Sequence, residues 1–167
     1  MRLAIPYHKQ SEEHTCGPAV LQMAFEYFGY LRPQHELVEH TATSPETGTN
    51  TALMVKAATE HGFYCYVNTH SSLREIRYFL KQELPVIVNF IEPSSDSGHF
   101  AVVSGLTPFS ILLNDPWNGK NFRMSRKQFL ARWYSEHQIE DVAWLMVLSR
   151  SAFPMGIQHS PAAMHSM

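Results

Sequence analysis

The sequence predicts an α+β domain in which a helical half packs on an antiparallel sheet. Helix-period apolar patterns gather in the first half of the 167 residues, and short apolar, β-branched runs separated by proline-containing turns gather in the second. The apolar fraction, 44 %, is ample for one core at this length. No internal repeat or interior low-complexity stretch breaks the chain.

Cys16 to Phe28 carries apolar residues at Ala19, Val20, Met23, Ala24, Tyr27 and Phe28, the stripe of a helix packed on one face, and Gly29 stops it. Glu36–His40 reads as a short helix. A further helix runs from Asn50 to His61, with Asn50 or Thr49 as its cap and Gly62 at its end. Phe63–Val67 is a strand. Ser71 or Ser72 caps a helix reaching about Gln82, with Leu73, Ile76, Phe79 and Leu80 inward. Leu84–Ile91 is a buried strand entered through proline, followed by a polar loop, Glu92–Gly98, and a second strand, His99–Gly105. Leu106–Ser110 is a turn, Ile111–Asn114 a third strand, and Asp115–Gly119 loop again. A helix near Arg126–Tyr134 and a strand over Val142–Leu148 complete a domain of residues 1–148. The remainder, 149–167, lacks periodicity and is rich in Ser, Pro, Met and Ala, which predicts a mobile tail.

One cysteine stands where chemistry is favoured. Cys16 opens the first helix, with Gly17-Pro18 behind it and Gln10 six residues upstream. Backbone N–H groups at a helix N-terminus lack intrahelical acceptors and carry partial positive charge. A cysteine held there has its thiolate, the nucleophilic form, stabilised. Gln10 can add a side-chain N–H beside the Cys16 N–H, as an oxyanion hole requires.

The partners of a Cys–His catalyst lie downstream in one segment. If the second and third strands form a hairpin centred near Thr107–Pro108, the residue facing His99 falls within about one residue of Asp115, and cross-strand neighbours have Cβ atoms roughly 4.5–5.5 Å apart. The carboxylate then fixes the imidazole tautomer while the other ring nitrogen faces the thiol. His14, two residues from Cys16 but without an evident orienting acid, is the alternative base. Asp96, in the Ser-rich loop before His99, is the alternative orienter.

Gln10 spaced before Cys16-Gly17, an apolar helix ending in Tyr27-Phe28-Gly29, then Gly98-His99-Phe100 and Asn114-Asp115-Pro116 resemble the bacteriocin-processing, double-glycine cysteine peptidase family of the papain-like clan. The likeness runs from about Pro6 to Leu148. It implies a papain-like fold with the active site in a groove between the halves, Cys16 as nucleophile, His99 as base and acid, Asp115 as orienter and Gln10 in the oxyanion hole. It also implies a peptide or protein substrate, a leader cut after Gly-Gly. Two departures stand out. Thr15 occupies a position often acidic in that family, and the membrane-spanning exporter commonly fused to it would have to be a separate chain. Two other readings keep the same residues: an acyl or peptidyl transferase, as phytochelatin synthases resemble this layout, and a catalytically idle leader-binding domain.

Composition excludes other classes. A net charge of −2 offers no basic excess for nucleic acid. No apolar run approaches the ~20 residues that span a bilayer. The thiol must stay reduced, which favours the cytoplasm. No cofactor or metal is called for. His35 and His40 imitate a zinc helix, but at i, i+5 they stand about 140° apart. Cys65 between two tyrosines reads as packing, and Trp117 as a core or rim residue.

Overall fold

The structure is a computed structural model that describes residues 1–162. Twelve elements follow one another: α1 (Cys16–Tyr27), α2 (Gln34–His40), α3 (Thr51–Glu60), β1 (Tyr64–Asn68), α4 (Leu73–Lys81), β2 (Val86–Glu92), β3 (Ser97–Leu106), β4 (Ser110–Asp115), β5 (Gly119–Ser125), α5 (Arg126–Arg132), β6 (Leu145–Ser149) and β7 (Gln158–His159). The strands form one sheet in the order β5-β4-β3-β2-β6-β1-β7, with every pairing antiparallel. Asn50 and Ser72 cap α3 and α4 through their side-chain oxygens, as their residue types predict.

The sheet is buried on both faces. On one, Val20, Met23 and Phe25 of α1, Leu37 of α2 and Met54 of α3 pack on Ile87, Phe100, Val102 and Met146. On the other, Ile76 and Phe79 of α4 and Phe129 of α5 pack on Val86, Val88, Ala101 and Val147. Strand β2 is buried at all seven positions, and a strand with both faces covered reads as a continuous apolar run. Helices are therefore not confined to one side. The α1–α3 layer carries Cys16, and the sheet carries His99 and Asp115.

Three sequence expectations need correction. The loop expected over Asp115–Gly119 ends in a strand: Gly119 and residues 120–125, to which the sequence assigned no element, form the edge strand β5, where only Met124 is buried. Polar edge positions carry no alternation to read. The strand expected over Val142–Leu148 begins at Leu145, because Ala143 has φ +49° and interrupts the extended backbone. The segment after Leu148 does not stand apart from the domain: Ser149 ends β6, Phe153 is buried, and β7 adds to the free edge of β1. Ala162 N–H donates to Thr59 O at 2.9 Å. Burial there comes from one aromatic rather than a periodic stripe, so pattern alone misses it. Residues 163–167 of the expected tail lie outside the described residues.

The Phe153 ring packs against the Tyr66–Phe79 pair, with centroids 5.7 and 5.9 Å away. Phe153→Ala is expected to destabilise the protein by about 3 kcal/mol, the low end for a buried Phe. A chemical-denaturation midpoint unchanged by the substitution would restore the mobile-tail reading.

Candidate active site

Three chain segments bring the site together. Helix α1 begins at Cys16 with no side-chain cap and no acidic residue in its first turn. Thr15, the residue before it, turns its hydroxyl backward, accepting from Glu12 N–H and donating to Glu12 O, each at 3.0 Å. The first N–H groups of α1 are thus left uncapped beside the thiol. Gly17 is required by close approach: a Cβ there would lie 2.5 Å from Thr49 Oγ1 and 2.7 Å from Thr49 Cβ.

The N-terminal segment is laced to the end of the β3–β4 hairpin. Leu3 N–H donates to Ser104 O, Asn114 Nδ2 to Ile5 O, Tyr7 OH to Asp115 O, and Gln10 N–H to Pro116 O. These bonds set Gln10 against the Asp115 loop. Gln34 on α2 holds the other side, accepting from Ser11 N–H at 2.8 Å and donating to Lys9 O at 3.1 Å. Its Nε2 also donates to Gln22 Oε1 at 3.1 Å, and nothing in the sequence pattern marked Gln34, since the bonds that hold the Gln10 segment go to main-chain atoms.

His99 and Asp115 meet, though not as direct cross-strand partners. The hairpin turn is centred one residue later than expected, with Leu106 facing Ile111, and a bulge at Ser104 shifts the register again. Val102 faces Asn114, so the continued register sets Asp115 opposite Ala101, two residues from His99. Such diagonal neighbours lie about 7–8 Å apart at Cα, within reach of long side chains. The contact is His99 Nε2 to Asp115 Oδ1, 2.6 Å, with Asp115 fully buried and His99 6 % exposed. Asp115 Oδ1 also accepts from Trp117 N–H at 2.9 Å and Asn118 N–H at 3.1 Å, and Oδ2 from Asn118 Nδ2 at 3.1 Å.

With Nε2 committed to Asp115, Nδ1 is the ring nitrogen left for Cys16. Burial opposes charge on both partners. It pushes the thiol up, but the His99 charge, a hydrogen bond from the imidazole and one from Phe100 N–H outweigh it, and the Cys16 pKa is lowered. Burial likewise disfavours the imidazolium, yet Cys16 and Asp115 together raise His99 to about 10. The Asp115 carboxyl is held below the usual range despite its burial, first by the His99 bond and charge. These directions favour a thiolate–imidazolium pair over the neutral pair.

Gln10 is 6 % exposed beside them. Its Nε2 donates to Glu12 O at 2.8 Å and Glu13 O at 3.0 Å, and its Oε1 is buried without a partner. The amide is therefore held by its own loop instead of standing free. A groove of about 890 Å³ runs past these residues, lined among others by Gln10, Cys16, His99 and Phe100 and rimmed by Thr49 and Trp117. Trp117, 48 % exposed, is a rim residue.

The alternatives lie elsewhere. His14 lines the groove but has Nε2 3.7 Å from the Glu12 carboxylate, and the thiol couples to His99. Asp96 pairs with Arg132 at 3.1 Å. Cys65, fully buried in β1, has its thiol pushed up to about 12 by burial. His40 Nδ1 bonds His61 Nε2 at 2.7 Å, and His61 Nδ1 bonds Tyr30 OH at 2.8 Å. Among the described residues no group of three or more His, Cys, Asp or Glu converges as a metal site would, and no helix is long and apolar enough to cross a membrane.

Solved structures share this fold. The peptidase domain of Streptococcus ComA, a bi-functional ABC transporter involved in a quorum-sensing pathway, is 25 % identical, with 86 % of this chain and 97 % of that one covered and a TM-score of 0.69. The peptidase domain of Streptococcus mutans ComA is also 25 % identical, covering 86 % and 98 % with a TM-score of 0.60. A double-glycine-motif protease from an AMS/PCAT transporter, in complex with its leader peptide, is 21 % identical, covering 88 % and 92 % with a TM-score of 0.68. No curated protein sequence is significantly similar to the chain. Residues 4–137 match the Peptidase C39 family, and this span holds every residue of the site just described. On that match the chain belongs to the Peptidase C39 family and is a peptidase with a papain-like α+β fold.

Proposed function

We propose that this peptidase is a thiol hydrolase that uses Cys16, His99, Asp115 and Gln10. The observation that carries the reading is the coupling of the Cys16 thiol, at an uncapped helix N-terminus, to an imidazole whose far nitrogen is held at 2.6 Å by a buried carboxylate. The Cys16 thiolate attacks the scissile carbonyl carbon. The Cys16 N–H and the Gln10 amide stabilise the oxyanion. One Gln10 N–H shared between the adjacent carbonyls of Glu12 and Glu13 as a three-centre bond leaves the other for this task. The imidazolium of His99 then gives its proton to the leaving amine. Water activated by the same ring hydrolyses the thioester and restores the pair.

The substrate we propose is a leader peptide cut after Gly-Gly. Support comes from the ComA peptidase domains at 25 % identity and from the fold's occurrence in a double-glycine protease holding its leader. An exporter on a separate chain is the corresponding partner, and the cytoplasm, where thiols stay reduced, the corresponding compartment. A binding role alone requires no thiol coupled to an imidazole, which disfavours an idle domain. Incubation with Gly-Gly leader peptides followed by mass spectrometry tests the reaction. Fragments summing to substrate plus one water support hydrolysis, and a fragment carrying an added amine or thiol would make the protein a transferase.

The titration directions predict the pH dependence. Cys16 loses its thiolate as pH falls through its lowered pKa, and His99 loses its acid proton as pH rises past about 10, so activity is bell-shaped between these limits. Iodoacetamide should alkylate Cys16 well below the ordinary thiol value of about 8.5 and leave Cys65 untouched. Equal labelling of the two cysteines would remove Cys16 from the role of nucleophile.

Gln10→Ala is expected to lower kcat by roughly 10²–10³ while alkylation of Cys16 persists. His99→Ala should abolish turnover as fully as Cys16→Ala, since parts of one catalytic unit do not contribute additively. Gln10→Ala with activity within a factor of a few of wild type would reduce this residue to a loop amide.

A further inference from the structure

The contacts around His99 leave one buried charge without an assigned task. Glu92 closes β2 and is 2 % exposed. Its Oε2 accepts from Ser94 Oγ at 2.6 Å, Ser95 N–H at 2.7 Å and Ser95 Oγ at 2.8 Å, which together hold the β2–β3 turn. Its Oε1 takes no part in that turn. It accepts from Asn118 Nδ2 at 3.0 Å, and the same Nδ2 donates to Asp115 Oδ2 at 3.1 Å.

One amide group therefore stands between two buried carboxylates. An amide offers two N–H donors on one end and an acceptor on the other. With an anion on each side, only the orientation that presents Nδ2 is tolerated, because the flipped form would aim Oδ1 at two carboxylates. The Trp117 and Asn118 N–H groups already hold Oδ1, and through Asn118 Nδ2 Glu92 keeps Asp115 Oδ2 occupied as well, so that rotating Oδ1 away from His99 would break bonds at both oxygens. The carboxylate of Glu92 is in turn held by its serines, and its pKa is depressed to about 2: burial opposes the charge and the Ser94 and Asn118 bonds overcome it. The anion is therefore present wherever the proposed thiolate–imidazolium pair is.

We propose that Glu92 is a positioning residue which, acting through the Asn118 side chain, fixes the Asp115 carboxylate against His99 Nε2. This rests on the reading of Cys16, His99 and Asp115 as the catalytic set. Glutamine is a demanding substitute here. Ser95 N–H requires an oxygen on its side of the group, so the amide nitrogen of Glu92→Gln would face Asn118 Nδ2, donor against donor.

The test compares Glu92→Gln, Asn118→Ala and the double variant in the full chain, with two readouts. The first is the pH profile of Cys16 alkylation by iodoacetamide, which needs no substrate. The second is kcat and KM on a cleaved peptide. Glu92→Gln should move the acid midpoint of alkylation upward, toward an ordinary thiol, and lower kcat roughly tenfold at unchanged KM, the effect of one hydrogen bond to a charged group. Asn118→Ala should do the same, and the double variant should fall no further than Asn118→Ala alone. Additive losses, or an unshifted alkylation profile in Glu92→Gln, would confine Glu92 to the turn. If Glu92→Gln does not fold, Asn118→Ala decides: a wild-type profile in that variant overturns the proposal. A wild-type protein whose Cys16 titrates as an ordinary thiol would instead remove the catalytic reading itself.

Discussion

Charge buried where α1 meets the sheet is the constraint on which the rest of this structure depends. Cys16, His99 and Asp115 are each withdrawn from water, and burial opposes the charged form of every one of them. The His99 charge favours both the Cys16 thiolate and the Asp115 carboxylate, and each of these in turn favours the imidazolium, although Asp115 itself opposes the thiolate. A buried ion deprived of its partner costs on the order of 3–5 kcal/mol, so the fold must deliver all three together. Their backbones come from a helix, a strand and a strand end separated by most of the chain. The N-terminal segment supplies the tolerance needed. It runs from Leu3 to Gln10 along the β3–β4 hairpin, tied at Ser104, Asn114, Asp115 and Pro116.

The sheet contributes through an irregularity. A regular hairpin turning at Leu106–Ile111 would carry the wrong residue to His99, and the bulge at Ser104 corrects the register by one. Bulges re-aim side chains in this way beside functional sites. Ser104 is buried, and its hydroxyl donates to Asn121 Oδ1 at 2.8 Å, while Asn121 N–H donates to Asn114 Oδ1 at 3.1 Å. Asn114, the residue before Asp115, thus joins β5 and the N-terminal segment in one set of bonds. The helices on the second face complete the support, since they let β2 and β3 be apolar on both sides and rigid at the site.

Legibility in the sequence followed the length scale of each interaction. Helix α1 and the position of Cys16 at its start were legible because apolar periodicity and Gly29 are local signals. Capping by Asn50 and Ser72 was legible for the same reason. The meeting of His99 with Asp115 was legible only as a neighbourhood, because a bulge leaves no mark in composition and moves the register by a whole residue. Asn118 and Glu92 were invisible. Each looks like an ordinary loop or strand-end polar residue until three-dimensional packing puts one amide between two carboxylates. Strand β5 and the packed chain after Leu148 escaped for a related reason: an edge strand and a single buried aromatic lack the repetition that pattern reading needs.

The helix N-terminus serves two charges in succession, and its local sequence suits that. Before reaction, the proposed thiolate is the only anion in the first turn of α1, because no acidic residue lies there and Thr15 turns its hydroxyl back to Glu12. An acidic side chain at position 15 would compete for the same partial positive charge. In the proposed reaction the negative charge passes from sulfur to the carbonyl oxygen. The Cys16 N–H stays in place for it, being bound to no cap. The Gln10 amide differs in that its nitrogen is held in place by Glu12 O and Glu13 O. In the proposed oxyanion hole the amide is thus placed beforehand by its own loop, and that loop is tied to the Pro116 carbonyl on one side and to Gln34 on the other.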